Sequence, residues 1–164
     1  MLPPVEIYLV RHGIAEDPGP GQRDSDRALT AEGREKAARI AKNLRRELGD
    51  GVAAIVHSPY LRARETAEIF HRQFTEASFQ VAPGLTPNDN PEEGLAAALT
   101  LAAKKRSVMI VGHEPHLSSL ASILLTGDVQ ANVQFKKAAV AGFEWAGKGF
   151  SRLLFLLPPR FLLH

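Results

Sequence analysis

Three stretches of this chain each run from short apolar segments directly into side chains capable of chemistry. Glu6-Ile7-Tyr8-Leu9-Val10 leads into Arg11-His12-Gly13, and Val52 to Val56 leads into His57-Ser58-Pro59, with Arg62 four residues past Ser58. Ser107-Val108-Met109-Ile110-Val111 leads into Gly112-His113-Glu114-Pro115. A neutral imidazole is a nucleophile when an acceptor holds the proton on its other ring nitrogen. Guanidinium is always charged and presents a planar fork of donors. A phosphoryl group carries about two negative charges spread over three oxygens, which is what such donors suit. The residue types therefore point to phosphoryl transfer, with His12 as nucleophile and Arg11, Arg62 and His113 as the phosphate-binding groups. Backbone amides at the start of the helix after Ser58-Pro59 could add donors. The surrounding cations are expected to lower the pKa of His12 and keep it neutral near pH 7.

Something must bring these groups together. Each apolar segment has the composition of a buried strand, and in open α/β sheets ligands bind at the carboxyl ends of strands. The segments between them read as helices. Thr30 is an N-cap, and Ala37, Ile40, Ala41, Leu44 and Leu48 form an apolar stripe closed by Gly49-Asp50-Gly51. Further helices are expected over Leu61 to Phe74, Glu92 to Lys104 and Leu117 to Leu125, the second of these ending in the basic cluster Lys104-Lys105-Arg106. Phe79 to Val81 is a short strand. Ala138 to Trp145 and Arg152 to Leu157 read as two more strands joined by a hairpin-type connection, Ala146 to Gly149. Alternating strands and helices predict an α/β chain with a mainly parallel central sheet and helices on both faces. The apolar tail, Pro158 to His164, is expected to pack on that sheet.

Composition narrows the alternatives. With 164 residues the chain fits one domain with its own core. It has no cysteine, which excludes disulfides, thiolate nucleophiles and cysteine-ligated metal. Twenty basic against 18 acidic residues, without interleaved aromatics, suggest a mixed surface rather than one for nucleic acid. No apolar run is long enough to span a membrane, and Met1-Leu2-Pro3-Pro4 lacks a leader pattern, so a cytoplasmic location is expected. His113 and His116 form His-x-x-His, but Pro115 intervenes and no third ligand stands nearby, so zinc is not expected. His57 reads as rim padding, Arg64 as a surface residue, and Asp24 and Asp26 as turn formers.

The motifs also occur together in a known pattern. Leu9-Val10-Arg11-His12-Gly13, Leu29-Thr30-Ala31-Glu32-Gly33, Ser58-Pro59-Tyr60-Leu61-Arg62-Ala63-Arg64-Glu65-Thr66-Ala67 and Val111-Gly112-His113-Glu114-Pro115 stand in the order and at the separations seen in the histidine phosphatase superfamily. The resemblance covers residues 6 to about 125. The chain lacks the long insertion of phosphoglycerate mutases, and Gly84-Leu85-Thr86-Pro87 is similar to the Leu-Thr-Pro segment of SixA-type phosphohistidine phosphatases. This resemblance implies a phosphoglycerate mutase-like three-layer sandwich in a single domain. It implies His12 as the residue that becomes phosphorylated, Arg11, Arg62 and His113 as the phosphate pocket, and no metal or organic cofactor. The implied partner is a phosphohistidine-bearing protein of the phosphotransfer type, in a cytoplasmic signalling role.

One departure bears on the substrate. Larger members of that superfamily supply a glutamate general acid from the region between the second and third helices. Here the region offers Asp89, Glu92 and Glu93, none of them in the family's acid motif. A missing acid would slow phosphate esters most, because an alkoxide leaves poorly without a proton. An N–P bond to imidazole needs less help, which favours phosphohistidine. The alternatives are a phosphatase of small phosphomonoesters and a non-catalytic phosphate- or phosphoprotein-binding module.

Overall fold

The computed structural model describes residues 4–130, 132–147 and 149–164. The reading of Met1-Leu2-Pro3 and the conformation of Lys148 in the hairpin-type connection lie outside these residues. The elements are β1 (Val5–Arg11), α1 (Ala31–Leu48), β2 (Ala54–His57), α2 (Leu61–His71), β3 (Ser78–Val81), α3 (Pro91–Ala102), β4 (Ser107–Gly112), α4 (His116–Thr126), β5 (Val140–Trp145) and β6 (Arg152–Leu157). Short 3-10 turns occupy Asp24–Asp26 and Pro159–Phe161.

The six strands form one sheet in the order β3-β2-β4-β1-β5-β6. β1, β2, β3 and β4 run parallel, as helical crossovers require, while β5 and β6 add on antiparallel beside β1. Alternate side chains of each strand serve opposite faces. Ile7, Leu9, Val56, Val108 and Ile110 enter one buried cluster with α3 and α4, whereas Tyr8, Val10, Ile55, Met109 and Val111 enter the other with α1 and α2. The result is a three-layer α/β sandwich, with each fully buried Leu or Ile contributing about 1.5–3 kcal/mol.

Local rules explain most element ends. The Thr30 hydroxyl accepts from the Gly33 amide at 2.9 Å to start α1, and Asn90 caps α3 by accepting from the Glu92 amide at 2.9 Å. Gly127, at φ 77°, closes α4. Two helices stop before their sequence expectation. α2 ends at His71, although Phe74 beyond it is still buried. α3 ends at Ala102 because Ala103 and Lys104 turn left-handed (φ 27° and 58°) to reverse the chain into β4. Lys104-Lys105-Arg106 thus sit in the turn beyond the helix rather than in its last turn. The tail buries Leu162 in the cluster shared by α1 and the sheet, and α1 clips it there through Asn43 Nδ2, which donates to the carbonyls of Leu162 (2.8 Å) and His164 (3.0 Å). Among the described residues no helix is long and apolar enough to cross a membrane.

The sheet register does the positioning. Arg11 lies opposite Gly112, and His57 opposite Val111, so the carboxyl ends of β1, β2 and β4 finish in one row. Ser58 N–H donates to Val111 O and His12 N–H to Gly112 O, both at 3.0 Å, extending that row past the strands.

Candidate active site

His12 hangs from the end of β1 and is only 6% exposed. Its Nδ1 lies 2.7 Å from the Gly13 carbonyl, which fixes that nitrogen as the N–H donor and leaves Nε2 with its lone pair. Arg62 Nε donates toward Nε2 at 3.3 Å, and the His113 ring stands 5.1 Å away, centroid to centroid. Burial lowers the His12 pKa to about 4, the hydrogen bond to Gly13 opposes this, and the charges of Arg62, Arg11 and Lys137 lower it further. The imidazole is neutral as expected, but loss of solvent is the first cause and the cations only reinforce it.

Arg62 opens α2 and is 3% exposed. Apolar periodicity alone points Leu61, Ala67, Ile69 and Phe70 inward; the helix buries Arg62 and Thr66 as well and leaves Leu61 half-buried, because that end of α2 faces the strand row rather than the core. The guanidinium lies over the Tyr60 ring at 5.0 Å. Its Nη1 donates to Asp24 O at 2.7 Å and its Nη2 to Asp24 Oδ2 at 2.9 Å. His113 ends the β4 segment with Nε2 2.7 Å from Ser58 Oγ, while its Nδ1 has no partner. Burial first, then the neighbouring His12 and Arg62, push its pKa down to about 2. Arg11 completes the group: Nη1 donates to Phe135 O at 2.6 Å and Nε is buried without a partner. His12, Arg62 and His113 thus stand in contact, and Arg11, one residue before His12, lies close enough for its charge to act on His12 and to be felt with that of Arg62.

Other candidates go elsewhere. His57 is turned under the sheet edge, with Nδ1 2.8 Å from Ser58 O and its ring 4.9 Å from Phe79, so it is a buried packing residue rather than rim padding. His116 packs against the Gly94 backbone of α3, whereas His113 meets Ser58 and His12. Among the described residues no group of three or more His, Cys, Asp or Glu could hold a metal ion. Arg64 pairs with Glu68 on the solvent face of α2. Asp89 accepts from the Thr86 amide at 2.8 Å within its own loop, and Glu92 and Glu93 lie exposed in the first turn of α3. Asp24, from the turn of the first loop, reaches the site through Arg62, and Glu114, the residue after His113, lies close enough to Arg11 for its charge to act there, with Oε1 buried and without a partner. Partial burial works against ionisation of Asp24, but hydrogen bonds from Arg27 and Arg62 outweigh this and hold it below the usual carboxylate range. It carries no proton to donate.

A family model for the histidine phosphatase superfamily (branch 1) matches residues 7–90, more than half of the chain and the part that contains Arg11, His12 and Arg62. The chain belongs to the histidine phosphatase superfamily. An uncharacterized protein of Picosynechococcus sp. is 34% identical over 97% of this chain and 99% of its own length. The crystal structure of an Agrobacterium tumefaciens protein carrying the SixA phosphohistidine phosphatase name is 28% identical, with TM-score 0.78 over 95% of this chain and 99% of that one. A protein histidine phosphatase SixA solved with tungstate is 26% identical, with TM-score 0.81 over 96% and 99%.

In this superfamily member, residues without a role in the sequence reading also brace the site. Thr66 Oγ1 donates to Arg62 O at 2.7 Å and accepts from Gly13 N–H at 3.1 Å, tying α2 to the end of β1. Glu65 accepts from the Leu29 amide (2.6 Å) and from Arg34 (2.5 Å), anchoring the first loop and α1. Residues 62, 65 and 66 share one helical face by their spacing alone. That signal was available; the Asp24 contact had none.

Proposed function

We propose that this chain is a phosphohistidine phosphatase that works through a covalent phospho-His12 intermediate. The observation that carries the reading is the buried, neutral His12 with Nδ1 committed to Gly13 O and Nε2 facing Arg62. The likeness to SixA structures supports it. In the first step Nε2 of His12 attacks phosphorus in line; the N–P bond of the substrate breaks and its electron pair returns to the departing imidazole, which takes a proton from solvent. Arg11 and Arg62 balance the charge on the equatorial oxygens, and His113, neutral and held by Ser58, offers its N–H. Water then attacks phospho-His12, releasing inorganic phosphate and restoring the imidazole. These groups neutralise the phosphoryl charge without a metal. Asp24, paired with Arg62 and Arg27, holds no proton for a leaving group, which suits an imidazole leaving group better than an alkoxide.

The test is phosphate release from a phosphohistidine-bearing phosphotransfer domain beside p-nitrophenyl phosphate, for wild type and His12→Ala. Rapid turnover of the phosphohistidine, weak action on the ester, and loss of at least about a thousandfold in His12→Ala are expected. Faster action on the ester would move the assignment to small phosphomonoesters. Turnover that survives His12→Ala would overturn the mechanism.

A further inference from the structure

Beside the phosphoryl pocket the chain builds a feature that the reaction does not use. The segment from Phe135 to Ala139 folds back onto the end of β1. Ala138 N–H is shared between the carbonyls of Arg11 and His12 at 3.1 Å each, Arg11 N–H donates to Ala139 O at 3.1 Å, and Ala139 N–H donates to Lys136 O at 2.8 Å. Ala138 adopts φ 63°, a left-handed conformation that residues other than glycine rarely take. A turn held this firmly places Lys136 and Lys137, both exposed, next to the nucleophile.

The two lysines border an open cleft of about 410 Å³ that adjoins Arg11 and Gly13. Lys36 of α1 faces them across it, Ile14 and Leu163 contribute an apolar floor, and no acidic residue lines it. Lys36 pairs with Glu32, but neither Lys136 nor Lys137 forms an ion pair with any described residue. The charge of Lys137 is felt at His12. Along α1 the basic surface continues through Arg39, Lys42 and Arg46, which line a neighbouring groove with the tail.

We infer that this basic cleft is a docking site for the acidic surface around the phosphohistidine of a protein substrate. The inference rests on the phosphohistidine phosphatase reading and adds to it how the substrate is chosen. A cradle for a second phosphate gathers buried, convergent donors. Here the lysines stand on an exposed rim above apolar ground, which is the make-up of a protein interface: an apolar centre and a charged border that steers and orients the partner.

The test compares wild type with the Lys36→Ala/Lys136→Ala double variant, leaving Lys137 in place because its charge reaches His12. Substrates are free phosphohistidine and a phosphorylated phosphotransfer domain with an acidic face, each at about 50 mM and about 300 mM salt. The expected result is a KM for the protein substrate raised about five- to tenfold with kcat unchanged, a shallower salt dependence, and unchanged turnover of free phosphohistidine. Titration of the same domain onto both proteins gives the same ratio as a Kd, so the docking claim is read even if neither substrate turns over, an outcome that would sink only the phosphatase reading. Equal KM and Kd values for the two proteins would overturn the inference. So would a parallel loss on both substrates, or a bisphosphorylated small molecule whose inhibition depends on the two lysines while the protein substrate ignores them.

Discussion

The charge of His12 is decided by where it sits, and that gives it a definite pH behaviour. Burial holds its pKa near 4, against 6.5 for an ordinary histidine. Between those values the unfolded chain binds a proton that the folded chain refuses, so stability rises with pH there. The contribution is present above about pH 6.5, shrinks as pH falls, and is gone for His12 below about 4; its size is on the order of 3 kcal/mol. His113, His57 and His116 are shifted the same way by burial and add to it. Melting temperatures measured across this window should fall steadily with acid, and less in His12→Ala, while the acid limb of kcat/KM, which reports the free enzyme, should lie near pH 4 to 5 rather than 6.5. Asp24 gives a second prediction. Its ion pair with Arg62 joins a buried guanidinium to a carboxylate that is 54% exposed, so it is worth at most about 1 kcal/mol. Asp24→Asn should tighten inorganic phosphate by up to about fivefold in a calorimetric titration, because a competing anion is gone. The placement of Arg11, His12, Arg62 and His113 at one edge of the sheet was legible in the sequence because each directly ends a strand or starts a helix. That of Asp24 was not: it meets Arg62 across 38 positions, from an irregular loop with no periodicity to read.

Elements reach the site through close backbone approaches. At Gly13, the residue after His12, a Cβ would meet Gly33 O at 3.2 Å, close enough that the neighbouring backbone would have to give by a few tenths of an ångström. At Gly33, in the first turn of α1, a Cβ would come within 2.2 Å of Ile14 O, so the helix can lie against the first loop only without a side chain there. Gly33→Ala should therefore destabilise the fold by about 1–3 kcal/mol and lower activity as the loop after His12 shifts, both readable by denaturant unfolding and turnover. Thr66→Val keeps the shape and removes two hydrogen bonds, at an expected cost of about 1–3 kcal/mol with kcat reduced more than KM is raised. Apolar spacing located α1 and its N-cap closely. It overran α2 and α3, because what stops them is a chain reversal that spacing does not encode, and it missed the inward turn of Arg62, since burial there serves a polar site.

At the level of the molecule, the sheet was legible where crossover helices dictate parallel strands, and the two antiparallel strands followed from the short connection between them. The tail was expected on the sheet, and Leu162 does enter that core, but its capture by α1 depends on Arg39 and Asn43, polar residues that a hydrophobic pattern passes over. Leu162→Ala should cost about 2 kcal/mol or more in unfolding free energy. The sheet order has one more effect. β1 is paired on both sides, by β4 and β5, while the Asp24–Asp26 turn rests on exposed contacts among Arg23, Asp24, Asp26 and Arg27 and on one arginine of α2. Amide hydrogens of β1 should be among the last to exchange with deuterated solvent and those of the turn among the first. The proposed nucleophile thus hangs from a strand held along both edges, and Asp24 across the pocket from a loosely held turn. A substrate can rework the turn at little energetic expense while the His12 imidazole stays where the sheet holds it.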